Sequence, residues 1–160
     1  MSVQPAHGAH LARETAISVA INAAFSALFV FLVFGGKDRI GLWGFGGLAL
    51  DFIPQTFVIS FMAVLVPSAI TRKAIRTGRI QTASASVSRL PRSLVSRALL
   101  IASISSLIAV PLAIAALALA FPGPQPFAAV LSMKIAYGAC LACLVTSYAI
   151  RALLTDGARV

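Results

Sequence analysis

The chain has 160 residues, 59% of them hydrophobic and 11% charged, with a formal net charge of +9, and its mean hydropathy is +0.96. A soluble domain is about a quarter charged, and a chain this small cannot hide so much apolar surface from water, so its surroundings are lipid. The cations lie beside apolar runs, where they orient helices and meet anionic headgroups. They lack the interleaved aromatics that RNA and single-strand binding require, so nucleic acid is excluded as an expected partner.

Residues 1–12 read as an exposed polar tail holding His7 and His10. A single Arg precedes the first apolar run, and no small-residue cleavage site follows its Phe-rich end, which argues against a cleaved signal peptide. Span 1 covers about residues 15–34, enough at 1.5 Å per residue to cross a hydrocarbon core of about 30 Å. Thr15, Ser18, Asn22 and Ser26 recur at three- and four-residue steps and share one face of it. Asn22 sits halfway along, where an amide in hydrocarbon needs a facing helix or a hydrated cavity.

The link that follows holds Gly41, Gly44, Gly46 and Gly47 around Trp43. No strand precedes it and no Lys-Ser/Thr pair follows, so it is not a phosphate-cradling loop. Trp43, Phe45 and Phe52 are expected at headgroup depth. Span 2 covers about residues 52–71, with Asp51 as its N-cap, Pro54 in its first turn and Pro67 as a kink. Thr56, Ser60, Ala63 and Pro67 share a face.

Residues 72–94 form a basic loop with Arg72, Lys73, Arg76, Arg79, Arg89 and Arg92 and no acidic residue. Such a segment is drawn to an anionic leaflet at about 1 kcal/mol per cation, which favours lipid over a partner's acidic tail. Span 3 covers about residues 95–121, bent at Pro111, with Arg97 reaching out to the headgroups and Ser96, Ser103 and Ser106 on one face. A proline-rich turn at 122–126 leads to span 4, about residues 127–150, which begins near 127 or near 134.

Lys134 is the one cation well inside an apolar run. Three placements are open to it: reaching the outer surface, lining an anion-accessible cavity, or marking where an interfacial piece becomes the span. Ala136, Cys140, Cys143 and Ser147 make a small-residue packing stripe, and Gly138 with Ala142 forms a small-xxx-small pair. A Pro-Gln pair followed by Phe recurs at Pro54, Gln55, Phe57 and at Pro124, Gln125, Phe127, an echo too short to establish duplication.

Six cations lie between spans 2 and 3, two between spans 1 and 2, and none between spans 3 and 4. The positive-inside rule then puts residues 72–94 and both termini in the cytoplasm. The carboxylates Glu14, Asp38, Asp51 and Asp156 all fall at expected helix ends or in links, with Glu14 paired to its neighbour Arg13. No catalytic constellation results, and the absence of a carboxylate inside a span counts against proton-coupled transport. Neither the tail histidines nor Cys140 and Cys143 have companions for a metal or haem, so the reading is not an enzyme and expects no cofactor and no metal.

The sequence therefore reads as one all-α membrane domain, 1–160, a bundle of four transmembrane helices whose polar faces converge. The Ala-rich, Arg-over-Lys composition points to a bacterial inner membrane. Two functions fit. One is permease-like transport past Asn22, Ser26, Thr56, Ser60 and Lys134, with Ser18, Ala136, Gly138, Cys140, Cys143 and Ser147 packing the helices. The other is a non-transporting accessory or assembly subunit that binds a larger membrane complex, or its own copies, and anionic headgroups.

Overall fold

The computed structural model describes residues 5–80 and 90–155. Its elements are α1 (Pro5–Phe34), β1 (Arg39–Ile40), α2 (Leu48–Arg76), α3 (Leu94–Ala120), β2 (Gln125–Pro126) and α4 (Phe127–Thr155). All four helices are long and apolar enough to cross a membrane. The shortest, α3 at 27 residues, is about 40 Å long at 1.5 Å per residue, so the helices overrun a hydrocarbon core or tilt within it. The outer surfaces agree with lipid as the medium: Leu107 is 75% exposed and Leu119 87%, a large apolar display that water would penalise.

Of the boundaries that differ from the sequence reading, α4 runs on to Thr155, and three others bear on the site. The segment read as a polar tail is helical from Pro5 onward. Leu11 packs against the buried Ile80, Ile150 and Leu154, and His10 Nε2 lies 3.0 Å from Thr71 Oγ1. At the other end of α1, Gly35 and Gly36 close the helix, Gly36 at φ +84°, where a side chain would be strained. The basic segment also starts in a helix: Arg72, Lys73 and Arg76 lie in the last turns of α2. Arg89 lies outside the described residues, as does Asp156.

The third difference matters most. α2 begins at Leu48 behind an extended Gly47, so Asp51 is not the N-cap but the fourth helical residue, and Pro54 lies in the second turn. The turn is fixed by the link ahead of it, where Leu48 and Ala49 donate backbone hydrogen bonds to the carbonyls of Gly41 and Leu42. Gly47 is needed there, because a Cβ would lie 2.7 Å from the Trp43 carbonyl oxygen.

Residues 35–47 and the segment before α4 meet as a two-stranded antiparallel ribbon, Arg39 opposite Pro126 and Ile40 opposite Gln125. Ile40 is buried with Val30, Phe34, Leu48, Phe52, Val110, Leu117 and Val130, which plugs this end of the bundle. Trp43 and Phe45 point outward, as a headgroup belt would, whereas Phe52 is buried and does not join them. The opposite end, carrying Arg13, Lys73 and Arg79, is here termed the basic end.

Packing follows the small residues. α1 lies on α4, α4 on α2, and α2 on α3, while α1 and α2 touch only sparsely. α3 turns Ala98, Ile101 and Ala102 inward, leaving Ser96 and Ser103 exposed and Ser106 half-buried, its Oγ without a hydrogen-bond partner among the described residues. Two alanines one turn apart allow a closer helix approach than serine hydroxyls needing partners. The expected convergence of four polar faces is therefore a convergence of three, from α1, α2 and α4. Arg97, expected to reach outward, is buried instead. The Pro-Gln echo also dissolves: Pro54 and Gln55 are inside a helix, Pro124 and Gln125 at the ribbon, and the paired helices are not two like hairpins.

Candidate functional site

Asp51 and Gln55 are four residues apart on α2 and therefore stack on one face. That face meets Lys134 of α4, whose Nζ donates to Asp51 Oδ2 and to Gln55 Oε1. The ammonium also lies 4.0 Å from the centroid of the Phe52 ring. Lys134 is completely buried. None of its three expected placements holds: it does not reach the surface, it lines no described cavity, and α4 runs unbroken from Phe127. An ammonium in a low-dielectric interior needs a counter-charge, and the early start of α2 supplies it by turning Asp51 inward.

The polar contacts continue across the helices. Gln55 Nε2 donates to Ser26 Oγ of α1 at 3.1 Å, so Asp51, Lys134, Gln55 and Ser26 form one chain linking α2, α4 and α1. Gly138 makes room for it, since an added Cβ would lie 2.1 Å from Ser26 Oγ. Beside this chain Thr56 Oγ1 donates to the Phe52 carbonyl and lies 2.6 Å from Tyr137 Oη. Because the threonine's single proton is used on the carbonyl, Tyr137 is the donor of the second bond. The Tyr137 ring also meets Phe52 edge-on, at 4.8 Å and 85°.

A second crossing sits nearer the basic end. Pro67 has no N–H, which leaves the Ala63 carbonyl, four residues earlier, without its helical partner. Thr146 of α4 donates to that carbonyl at 3.0 Å and is bonded to Ser18 Oγ of α1 at 2.7 Å. In lipid such a vacancy must be met by a neighbouring helix. Pro67 and Thr146 are therefore two halves of one device.

The residues expected to pack helices divide. Ser18, Gly138 and Ala142 are buried, and Ser147 is half-buried against Thr15 at 3.4 Å. Ala136, Cys140 and Cys143 are exposed, so that stripe is not the packing face. The buried face passes through Lys134, Gly138, Leu141, Ala142 and Val145, because the helix turns its ion pair inward and the neighbouring positions follow.

Because α1 and α2 touch so little, a groove of about 320 Å³ runs between them. Its floor carries Ser18, Asn22, Ser26 and Gln55, and its walls are apolar, among them Ile21, Phe25, Val58 and Met62. Asn22 Nδ2 donates to the Ser18 carbonyl at 2.8 Å, while among the described residues its Oδ1 accepts nothing and fronts the groove. Of the five expected binding residues, Asn22 and Ser26 line this space. Thr56, Ser60 and Lys134 are buried elsewhere, and Ser60 Oγ has no hydrogen-bond partner among the described residues.

At the basic end the groove opens into a cleft of about 670 Å³ lined by His10, Arg13, Lys73, Thr77 and Arg79. Glu14, Ile17 and Ile70 line both spaces and form the neck between them. Glu14 is not the expected interfacial partner of Arg13. It is 3% exposed at the neck, with no hydrogen bond or ion pair among the described residues. Sequence reasoning missed Asp51 and Glu14 as buried carboxylates by assigning both to helix ends. The signals were Leu48, Ala49 and Leu50, an apolar turn ahead of Asp51, and a lone span cation lacking a partner.

No protein-family pattern, curated protein or solved structure matches this chain.

Proposed function

We propose that the chain is a non-transporting accessory protein of a bacterial inner membrane, with the basic end and both termini cytoplasmic, whose α1–α2 groove receives an apolar chain from the plane of the bilayer. The observation that carries this reading is the separation of Asn22 from Lys134. A solute path would bring the span's amide and its cation to one hydrated cavity. Here Lys134 is sealed in an ion pair with Asp51, and Asn22 faces a groove between two helices whose walls are apolar. The ribbon end is plugged by Ile40 and its neighbours, which leaves a flank rather than a channel. The cation bias of the link between α2 and α3 supports the orientation.

The reading is tested by water access. In a chain with Cys140→Ala and Cys143→Ala, single cysteines at Asn22, Thr56 and Phe45 are challenged with a charged, membrane-impermeant methanethiosulfonate from each side. Phe45→Cys, on the outward-facing ribbon, is expected to be modified from the periplasmic side. Asn22→Cys and Thr56→Cys are expected to stay unmodified from both sides. Modification of Asn22→Cys and Thr56→Cys would show a hydrated path and replace this reading with the permease one.

A further inference from the structure

Groove and cleft join at Glu14, Ile17 and Ile70, so an apolar slot and a cationic pocket form one continuous, amphiphile-shaped space. We infer that this space is a site for a single anionic phospholipid of the basic-end leaflet, its headgroup phosphate among Arg13, Lys73 and Arg79 and one acyl chain in the groove. The inference rests on the proposed function and names the chain that the groove receives.

Three properties select this occupant. The first is charge: three cations and one carboxylate line the cleft, and all three cations are exposed to it rather than buried in ion pairs. Guanidinium and ammonium groups donate to phosphate oxygens, and Arg does so in bidentate fashion. The second is length. From Ile17 to Phe29 the groove follows α1 for about 18 Å, close to one leaflet's share, about 15 Å, of the hydrocarbon core. A partner's transmembrane helix would need a slot of the full core depth. The third is the neck. Glu14 is a buried acceptor without a partner among the described residues, and it sits where a headgroup joins its chains. The ester-linked glycerol backbone passes Glu14 there, and the headgroup lies beyond the phosphate in the cleft. In the cleft the neutral hydroxyls of phosphatidylglycerol add no charge to the three cations, whereas the quaternary ammonium of phosphatidylcholine adds a fourth.

The test uses the full chain purified in neutral detergent, delipidated, and titrated with phosphatidylglycerol, phosphatidylcholine or water-soluble glycerol phosphate, with native mass spectrometry counting retained molecules. One phosphatidylglycerol per chain is expected, over phosphatidylcholine, and glycerol phosphate is expected not to compete because it lacks the acyl chain. Lys73→Gln with Arg79→Gln is expected to weaken retention roughly thirtyfold, two near-surface charge contacts being removed. Ile21→Trp, which fills the groove, is expected to abolish the retained lipid, while Leu107→Trp on the outer face of α3 leaves it unchanged.

Thermal unfolding of each variant distinguishes loss of the site from loss of the fold, and Leu107→Trp calibrates the effect of an added indole. Equal retention of the two lipids overturns the inference. So does retention that survives Ile21→Trp, which would mean a headgroup held without a chain, and so does an Ile21→Trp variant that loses only a second copy of the chain. If Asn22→Cys stays shielded while no phosphatidylglycerol is retained, the lipid assignment alone fails. If Asn22→Cys becomes modified from water, the accessory reading fails with it.

Discussion

Lys134→Met is expected to destabilise the protein by about 3–5 kcal/mol, because it leaves Asp51 as a buried carboxylate facing Gln55 and the Phe52 ring without its cation. The reverse variant, Asp51→Asn, leaves the ammonium without a counter-charge and is expected to cost a similar amount. The double variant Asp51→Leu/Lys134→Met is expected to recover most of the loss, since replacing a buried pair by apolar residues of similar size is often neutral or better. Equilibrium unfolding in mixed detergent micelles measures all three on one scale. An additive double variant would show that the pair makes no direct energetic contact. The comparison matters for function, because a pair that apolar residues replace without loss is there to set the register of α4 on α2 rather than to handle a solute.

Gly138→Ala is expected to cost about 1–3 kcal/mol, the range for overfilling a packed interior. Its Cβ would meet Ser26 Oγ at 2.1 Å and Ser26 Cβ at 3.3 Å. Contacts that short cannot persist, so α1 and α4 must separate or Ser26 must leave its rotamer. Either movement breaks the bond from Gln55 to Ser26 and loosens one wall of the groove. Ser26→Gly removes the two Ser26 atoms and leaves only Ile59 Cδ1, at 3.2 Å, close to the new methyl. Gly138→Ala/Ser26→Gly is therefore expected to be more stable than Gly138→Ala alone, with a coupling of about 0.5–3 kcal/mol in a double-mutant cycle. Unfolding midpoints check this, and a Gly138→Ala chain as stable as the parent would remove the close contact from the account.

These magnitudes rank what holds the helices together. Interhelical side-chain hydrogen bonds in membranes average about 0.6 kcal/mol, so the Thr146–Ala63, Thr56–Tyr137 and Gln55–Ser26 bonds are individually minor. Close packing at Gly138, Ala142, Ala98 and Ala102 dominates, while the Lys134–Asp51 pair, costly to break from one side, adds little net stability over apolar residues. The small bonds still fix orientation, because each one answers a backbone or side-chain group that lipid would leave unsatisfied.

Apolar run length and charge spacing along the chain determined the four membrane-length helices and the concentration of cations between the second and third. Lipid imposes those properties on each segment separately, so no knowledge of neighbours is needed to see them. Asn22 and Ser26 were also legible, as polar positions on one face of α1. Tertiary structure alone decided which of the polar groups meet. Whether Asp51 caps a helix or faces Lys134 depends on one extra turn, Leu48 to Leu50, held by the backbone bonds from Leu48 to Gly41 and from Ala49 to Leu42. Whether serines on α3 face inward or outward depends on which neighbour α3 finds, and its main neighbour is α2, toward which Ala98, Ile101 and Ala102 are buried. The groove is a property of no single helix. It exists because α1 and α2 both prefer α4 to each other, and a preference among three helices is written in their relative surfaces rather than in the periodicity of any one of them.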